Sequence, residues 1–377
     1  MHKAEQFILN KLQQRTDKGI LRKLPANTFA CDFSSNDYLG FAGSAELKTK
    51  AQNLLVQIPA YKNGATGSRL LSGNHIFTEE TEQYIAGFHE AAAGLIFNSG
   101  YDANVGLLSA LAQRGDTVIC DELVHASLID GARLSYANRY SFKHNDLHDL
   151  ETKLKAAKGS IYVVIESVYS MDGDMPPLQE ISTLCQQYQA SLIVDEAHAT
   201  GIFGRQGAGL VQAMGLQNKV FARIVTFGKA MGCHGAIVLG SHNLREYLIN
   251  FARPFIYTTA APLHTIATIK AAYQLLQETN YPQLISDKIA HYLYLIGQTS
   301  LPVTQSRSAV HTILYQNSSE AKTAAAALQY KGLDVKAILS PTVAEGRERL
   351  RICLHLFNTN EEIETLVNEL KAIKPHE

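Results

Sequence analysis

Between about residue 46 and residue 275, stretches with apolar residues at helical spacing alternate with short apolar runs, most of them continuous rather than alternating. The clearest runs are GLIFNSG (94–100), DTVICDE (116–122), SIYVVIES (160–167), ASLIVDEA (190–197), RIVTFG (223–228) and GAIVLGS (235–241). A run without polar alternation reads as a strand buried on both faces, and intervening helices let successive strands run parallel. The pattern predicts an α/β domain over 46–279, with a mainly parallel central sheet and helices on both faces. Beyond about residue 280 the pattern changes. HTILYQN, GLDVKAIL and RLRICLHL read as strands, while SSEAKTAAAALQYK and NEEIETLVNELKAI read as helices. A smaller α+β domain over 280–377 is expected. Residues 1–45 read as a helical arm, with Phe7, Ile8 and Leu12 on one face, followed by an irregular segment.

Composition narrows the function. The chain has 377 residues, 46% of them hydrophobic and 18% charged, with a formal net charge of −1. That length suits a large core, and the charge balance offers no basic excess for nucleic acid. The five cysteines, Cys31, Cys120, Cys185, Cys233 and Cys353, are scattered and form no CxxC pair. Neither a disulfide framework nor a metal site is expected, and a reducing cytoplasm is the natural setting. The first residues carry charges throughout and lack the apolar core of a signal peptide. No apolar run is long enough to cross a bilayer.

In open α/β sheets, ligands bind beyond the carboxyl ends of the strands. Asp195 follows a fully apolar strand there. It either caps a following helix or, partly desolvated, holds a cation such as a protonated heterocyclic nitrogen. The DEAH string also matches the acidic box of some ATPases. That chemistry needs an upstream phosphate loop, and the one GK dipeptide with a small follower, Gly228-Lys229-Ala230, lies downstream and lacks the Ser or Thr for magnesium. At Ser99-Gly100-Tyr101 a strand turns into a helix expected to begin near Asp102 or Ala103, and free N–H groups at such a start can bind an anion. His125 and Ser170 follow other strands, where each could be purely structural. Lys229 is a charge on a turn or a reactive amine. One ligand would use all of these groups. It has a phosphate for the Gly100–Tyr101 turn, a flat ring for His125, a ring nitrogen for Asp195, a ring oxygen for His198 and an aldehyde for Lys229. Pyridoxal 5'-phosphate has each of these features.

The motifs FSSNDYLGF (33–41), GATGSRLLSGNH (64–75), SGYDANVGLLSAL (99–111), VHASLIDG (124–131), SVYSMDGDMPPL (167–178), VDEAHATGIFGRQGAG (194–209), TFGKAMG (226–232) and IYTTAAP (256–262) together resemble the α-oxoamine synthases, from about residue 20 to the end of the chain. The resemblance implies the aspartate-aminotransferase type of fold, known as fold type I. It also implies a decarboxylative condensation of a small amino acid with an acyl thioester. The implied pair is L-alanine with pimeloyl-CoA or its acyl-carrier-protein counterpart, a step of biotin biosynthesis; glycine-using members and serine palmitoyltransferase-like members are the alternative. By resemblance, Lys229 is the Schiff-base lysine, Asp195 meets the pyridine nitrogen, His198 the phenolic oxygen, and His125 stacks on the ring. Gly100, Tyr101, Ser170 and Thr226 complete the cofactor site. Thr258 and Thr259 would reach the phosphate of the neighbouring subunit, because family active sites lie at a homodimer interface. Arg351 matches an arginine that grips a substrate carboxylate, and Arg22, Asn36, Thr342 and His125 match substrate contacts. One departure stands out. The segment between Arg22 and SSNDYLG is shorter than the family pattern, which commonly carries an extra strand pair there.

Overall fold

The computed structural model describes residues 2–24, 29–59 and 61–373. In chain order its first strands are β1 (Cys31–Asp32), β2 (Ala93–Phe97), β3 (Thr117–Asp121), β4 (Asn138–Phe142), β5 (Ile161–Glu166) and β6 (Ser191–Asp195). They are followed by β7 (Ala222–Thr226), β8 (Ala236–Gly240), β9 (Val310–Leu314), β10 (Leu333–Asp334), β11 (Lys336–Ile338) and β12 (Arg349–Cys353). Seven of them make the central sheet, in the order β2-β8-β7-β6-β5-β3-β4.

The pairing is mainly parallel, but β8 runs antiparallel to both β2 and β7. The mainly parallel sheet expected from the sequence is found, with β8 the strand that reverses. Only residues 227–235 separate β7 from β8, too few for the crossover that a parallel pair requires. The edge strand β4 escaped the pattern because four of its five residues, Asn138 to Ser141, are exposed and present no apolar run.

The buried faces explain the continuous apolar runs. Leu95, Val118, Val164 and Ile224 pack on one side with Leu107, Leu108 and Leu128. Ile119, Val163, Ile165 and Val194 pack on the other with Leu150, Leu178 and Ile181. Each such side chain contributes about 1.5–3 kcal/mol when fully buried. The helices that matter for the site follow β2 and β3. With α1 (Lys3–Asp17), α2 (Ala45–Val56) and α3 (Ile76–Phe88) before them, they are α4 (Gly100–Leu111) and α5 (Ala126–Leu134).

The C-terminal strands β11, β12 and β9 form an antiparallel sheet in that order. The run GLDVKAIL is split between two sheets, since Leu333–Asp334 pairs with Cys31–Asp32 while Lys336–Ile338 joins β12. Phe33 and Tyr38 are fully buried, in the same core as Ile313, Leu350 and Ile352. The stretch around SSNDYLG is thus held against the C-terminal layer, whereas every residue of α1 is exposed.

Candidate active site

The carboxyl ends of β2, β3, β5, β6 and β7 open onto one cleft of about 270 Å³. Asn36, Gly100, Tyr101, His125, Ser170, Asp195, His198, Thr226 and Lys229 all line it. These nine residues come from segments far apart in sequence; eight follow or end strands of the central sheet, and Asn36 comes from the segment after β1 held against the C-terminal layer.

Gly100 opens α4, two or three residues before the expected start at Asp102 or Ala103, with Ser99 as its N-cap accepting the N–H of Asp102. A Cβ at Gly100 would lie 2.7 Å from Cγ2 of Thr226, so glycine lets the helix start close against β7. Asp195 does not cap a helix. The chain turns after it, and Oδ1 accepts the N–H of Ala197 at 2.9 Å. Its Oδ2 accepts the Asn104 amide at 2.8 Å, and Asn104 also donates to Ser127 Oγ at 2.9 Å. Ser127 Oγ in turn lies 2.7 Å from Nδ1 of His125.

A second chain of contacts runs from Lys229. Its Nζ lies 2.9 Å from Nε2 of His198, whose Nδ1 lies 2.7 Å from the Tyr38 hydroxyl. Tyr38 donates to Asn36 Oδ1 at 3.1 Å, and Arg351 donates to the same oxygen at 3.0 Å. If the imidazole carries its proton on Nδ1, every contact in this chain has one donor and one acceptor. Burial pushes the proton affinity of His198 well down, helped by the charge of Lys229. Burial also lowers that of Lys229, against the opposing pull of Asp195 and Glu166. His125, open to the cleft, is lowered by its enclosed setting and by Lys229.

Arg349 and Arg351 are both buried and share one face of β12. Arg349 pairs with Asp172, while Arg351 donates to the Ser170 carbonyl at 2.8 Å. The turn carrying Ser170 is further locked by Gly173 at φ +73°, where a Cβ would come within 2.0 Å of the Val310 carbonyl. Arg22 and Thr342 meet at 3.2 Å in an exposed contact outside the cleft lining. Thr258 and Thr259 also lie outside it and are held by Asn98, at 2.9 Å through Thr258 Oγ1 and 2.8 Å through the Thr259 carbonyl.

Residues 30–370 match the family described as aminotransferase class I and II. The chain belongs to that family. It is 41% identical to an 8-amino-7-oxononanoate synthase of Emericella nidulans, over 95% of this chain and 93% of the relative. A serine palmitoyltransferase of S. paucimobilis with bound PLP–myriocin aldimine superposes with a TM-score of 0.88 at 26% identity, covering 99% of this chain and 98% of that one. An 8-amino-7-oxononanoate synthase of Francisella tularensis superposes with a TM-score of 0.78 at 27% identity, covering 91% and 97%. Within the family the chain is an α-oxoamine synthase of fold type I, a pyridoxal-phosphate-dependent acyltransferase.

The cleft fits the cofactor of that family. Thr226 Oγ1 is buried beside the α4 start with no hydrogen-bond partner, as a group waiting for a phosphate oxygen would be. Asp195 is buried to 4% exposure. Among the described residues it has no cation within salt-bridge distance, so a protonated ring nitrogen would complete it. Four participants escaped the sequence reading. Tyr38 lies in an irregular segment and Asn104 and Ser127 inside helices, where none carries a local signal, and Glu166 ends β5 just as Asp195 ends β6.

Proposed function

We propose that this α-oxoamine synthase condenses L-alanine with a pimeloyl thioester, on CoA or acyl carrier protein, giving 8-amino-7-oxononanoate, carbon dioxide and the free thiol of the carrier. The substrate pair is supported by the 41% identity to an 8-amino-7-oxononanoate synthase, and the cofactor chemistry by Asp195 at the end of β6 and Lys229 just after the adjacent parallel strand β7, both facing one cleft. When bound, pyridoxal phosphate supplies an aldehyde that links to an amine and a ring that takes up negative charge from the α-carbon.

The side chains then have separable tasks. Lys229, kept low in proton affinity by burial, holds the cofactor and, once released, takes the α-proton of alanine. Asp195 keeps a proton on the ring nitrogen, and Asn104 and the Ala197 N–H fix its direction. His198 bonds the ring oxygen, with Tyr38 behind it. His125, lining the cleft, would cover the ring face. Gly100, Tyr101, Ser170 and Thr226 would hold the cofactor, the free N–H groups at the α4 start suiting its phosphate. Arg351 with Asn36 grips a carboxylate, and Arg22 with Thr342 takes the acyl donor. The chain works as a homodimer, each subunit's Thr258 and Thr259 reaching the phosphate next door. Their place outside their own cleft supports this reading.

The relatives named serine palmitoyltransferase keep a second reading open, in which another amino acid or acyl length is used. A panel of alanine, glycine and serine against short, pimeloyl and long acyl thioesters, scored by thiol release, tests the choice. Alanine with pimeloyl donor should give the highest kcat/KM. A preference for glycine or serine, or for a long-chain donor, would refute the proposed pair.

A further inference from the structure

Glu166 ends β5, Asp195 ends β6, and the two are direct partners in the parallel ladder. Both line the cleft, at 3% and 4% exposure. Two carboxyl groups side by side in a poorly hydrated site do not both ionise freely, and one keeps a proton unless a cation stands beside it. Asp195 has the better claim to charge, since the Asn104 amide and the Ala197 N–H both donate to it. Glu166 accepts the backbone N–H of His125 through Oε1. Among the described residues it has no cation within salt-bridge distance.

The groups that face Glu166 are Asp195 from β6, Lys229 from the turn after β7, His125 at the start of α5, and Tyr169 on its own following turn. Their charges matter to Lys229. An ionised Glu166 would add a second negative charge near Nζ and favour the ammonium form, which cannot act as a base.

Building on the reading of Lys229 as the base, we propose that Glu166 is a positioning residue that keeps its proton at neutral pH, leaving the Lys229 amine uncharged, while its Oε1 anchors His125 over the cofactor. Burial and the charge of Asp195 push the Glu166 carboxyl up to about 8, with Lys229 and the backbone N–H groups of His125 and Ser170 pulling the other way. Above that value Glu166 becomes anionic and Lys229 holds its proton more tightly. Glutamine mimics the neutral acid and still offers an oxygen to His125, alanine offers neither, and aspartate keeps a titrating carboxyl one methylene short of His125.

The test is a pH titration of the bound-cofactor absorbance of the holoenzyme, together with cofactor dissociation constants. The wild type should show a spectral transition near pH 8, and Glu166→Gln should lose it. Glu166→Ala should weaken cofactor binding at least about tenfold, and Glu166→Gln should restore it to within about threefold. Glu166→Asp should keep a transition with a moved midpoint. A glutamine variant that titrates like the wild type, or binds cofactor as weakly as the alanine variant, overturns the proposal. Should the glutamine variant fail to fold, a wild type without any transition between about pH 7 and 9, or an aspartate variant whose midpoint does not move, overturns it too. Failure of Lys229 itself is recognised separately, by a covalent cofactor adduct that survives Lys229→Ala.

Discussion

Nζ of Lys229 lies 2.9 Å from Nε2 of His198, so two ordinarily basic groups share one hydrogen bond. The contact is tolerable because burial holds both toward their neutral forms. A neutral amine is the form that attacks an aldehyde and removes a proton. Replacing Lys229 by Ala should abolish the absorbance of the linked cofactor and any borohydride-reducible adduct on the chain. Turnover should fall by at least about 10³-fold, within the range known for a lost general base. Mass spectrometry of the reduced protein is the check.

Asp195 and Asn104 form a pair whose loss separates chemistry from folding. Asp195→Asn should leave the thermal midpoint within a few degrees while removing most of kcat, far beyond the roughly 1 kcal/mol that a helix cap would contribute. Asn104→Ala leaves a buried carboxylate short of one donor, a loss of about 1–3 kcal/mol. It should weaken cofactor binding at least tenfold, measured by equilibrium dialysis. A folded Asp195→Asn enzyme with near-normal activity would exclude the electrostatic role.

Gly100 meets Thr226 where the phosphate is expected. In Gly100→Ala the added Cβ would sit 2.7 Å from a branched, poorly adjustable side chain. The start of α4 and the end of β7 must part, so cofactor release should speed up by about tenfold or more. Circular dichroism should show the fold unchanged. Equal release rates in the two proteins would mean that the phosphate sits elsewhere.

His144 supplies a pH dependence outside the chemistry. Its Nδ1 lies 2.9 Å from Asp121 and its Nε2 2.7 Å from Asp174. Burial alone would lower its proton affinity, but the two carboxylates raise it to about 10. Because the folded value lies above the unfolded one, the stabilisation is complete below about pH 6.5 and lost as pH rises through about 10. The slope in that window is at most about 1.4 kcal/mol per pH unit for one proton. Urea denaturation at pH 6.5, 8 and 10 should show this loss in the wild type and a flatter response in His144→Gln.

The sequence by itself determined the α/β core, because strands buried on both faces need apolar interiors, and the middles of β3, β5, β6 and β7 (VIC, YVVI, LIV and IV) have them. It also offered candidate residues at the strand ends, each with a bland alternative taken singly, and the tertiary structure brought Asn36, Gly100, Tyr101, His125, Ser170, Asp195, His198, Thr226 and Lys229 to one cleft. The edge strand β4 and the reversal at β8 were decided by tertiary structure. One lacks an apolar signal, and the other depends on a connection too short for a crossover. Tertiary structure alone joined Tyr38 to His198 across 160 positions, Asn104 to Asp195 across 91, and Arg351 to Asn36 across 315. Hydrogen bonds between distant segments leave no periodicity in the chain, because their partners are set by how the layers pack and not by local spacing. The same holds for Glu166, whose neutrality depends on which carboxyl the sheet places beside it.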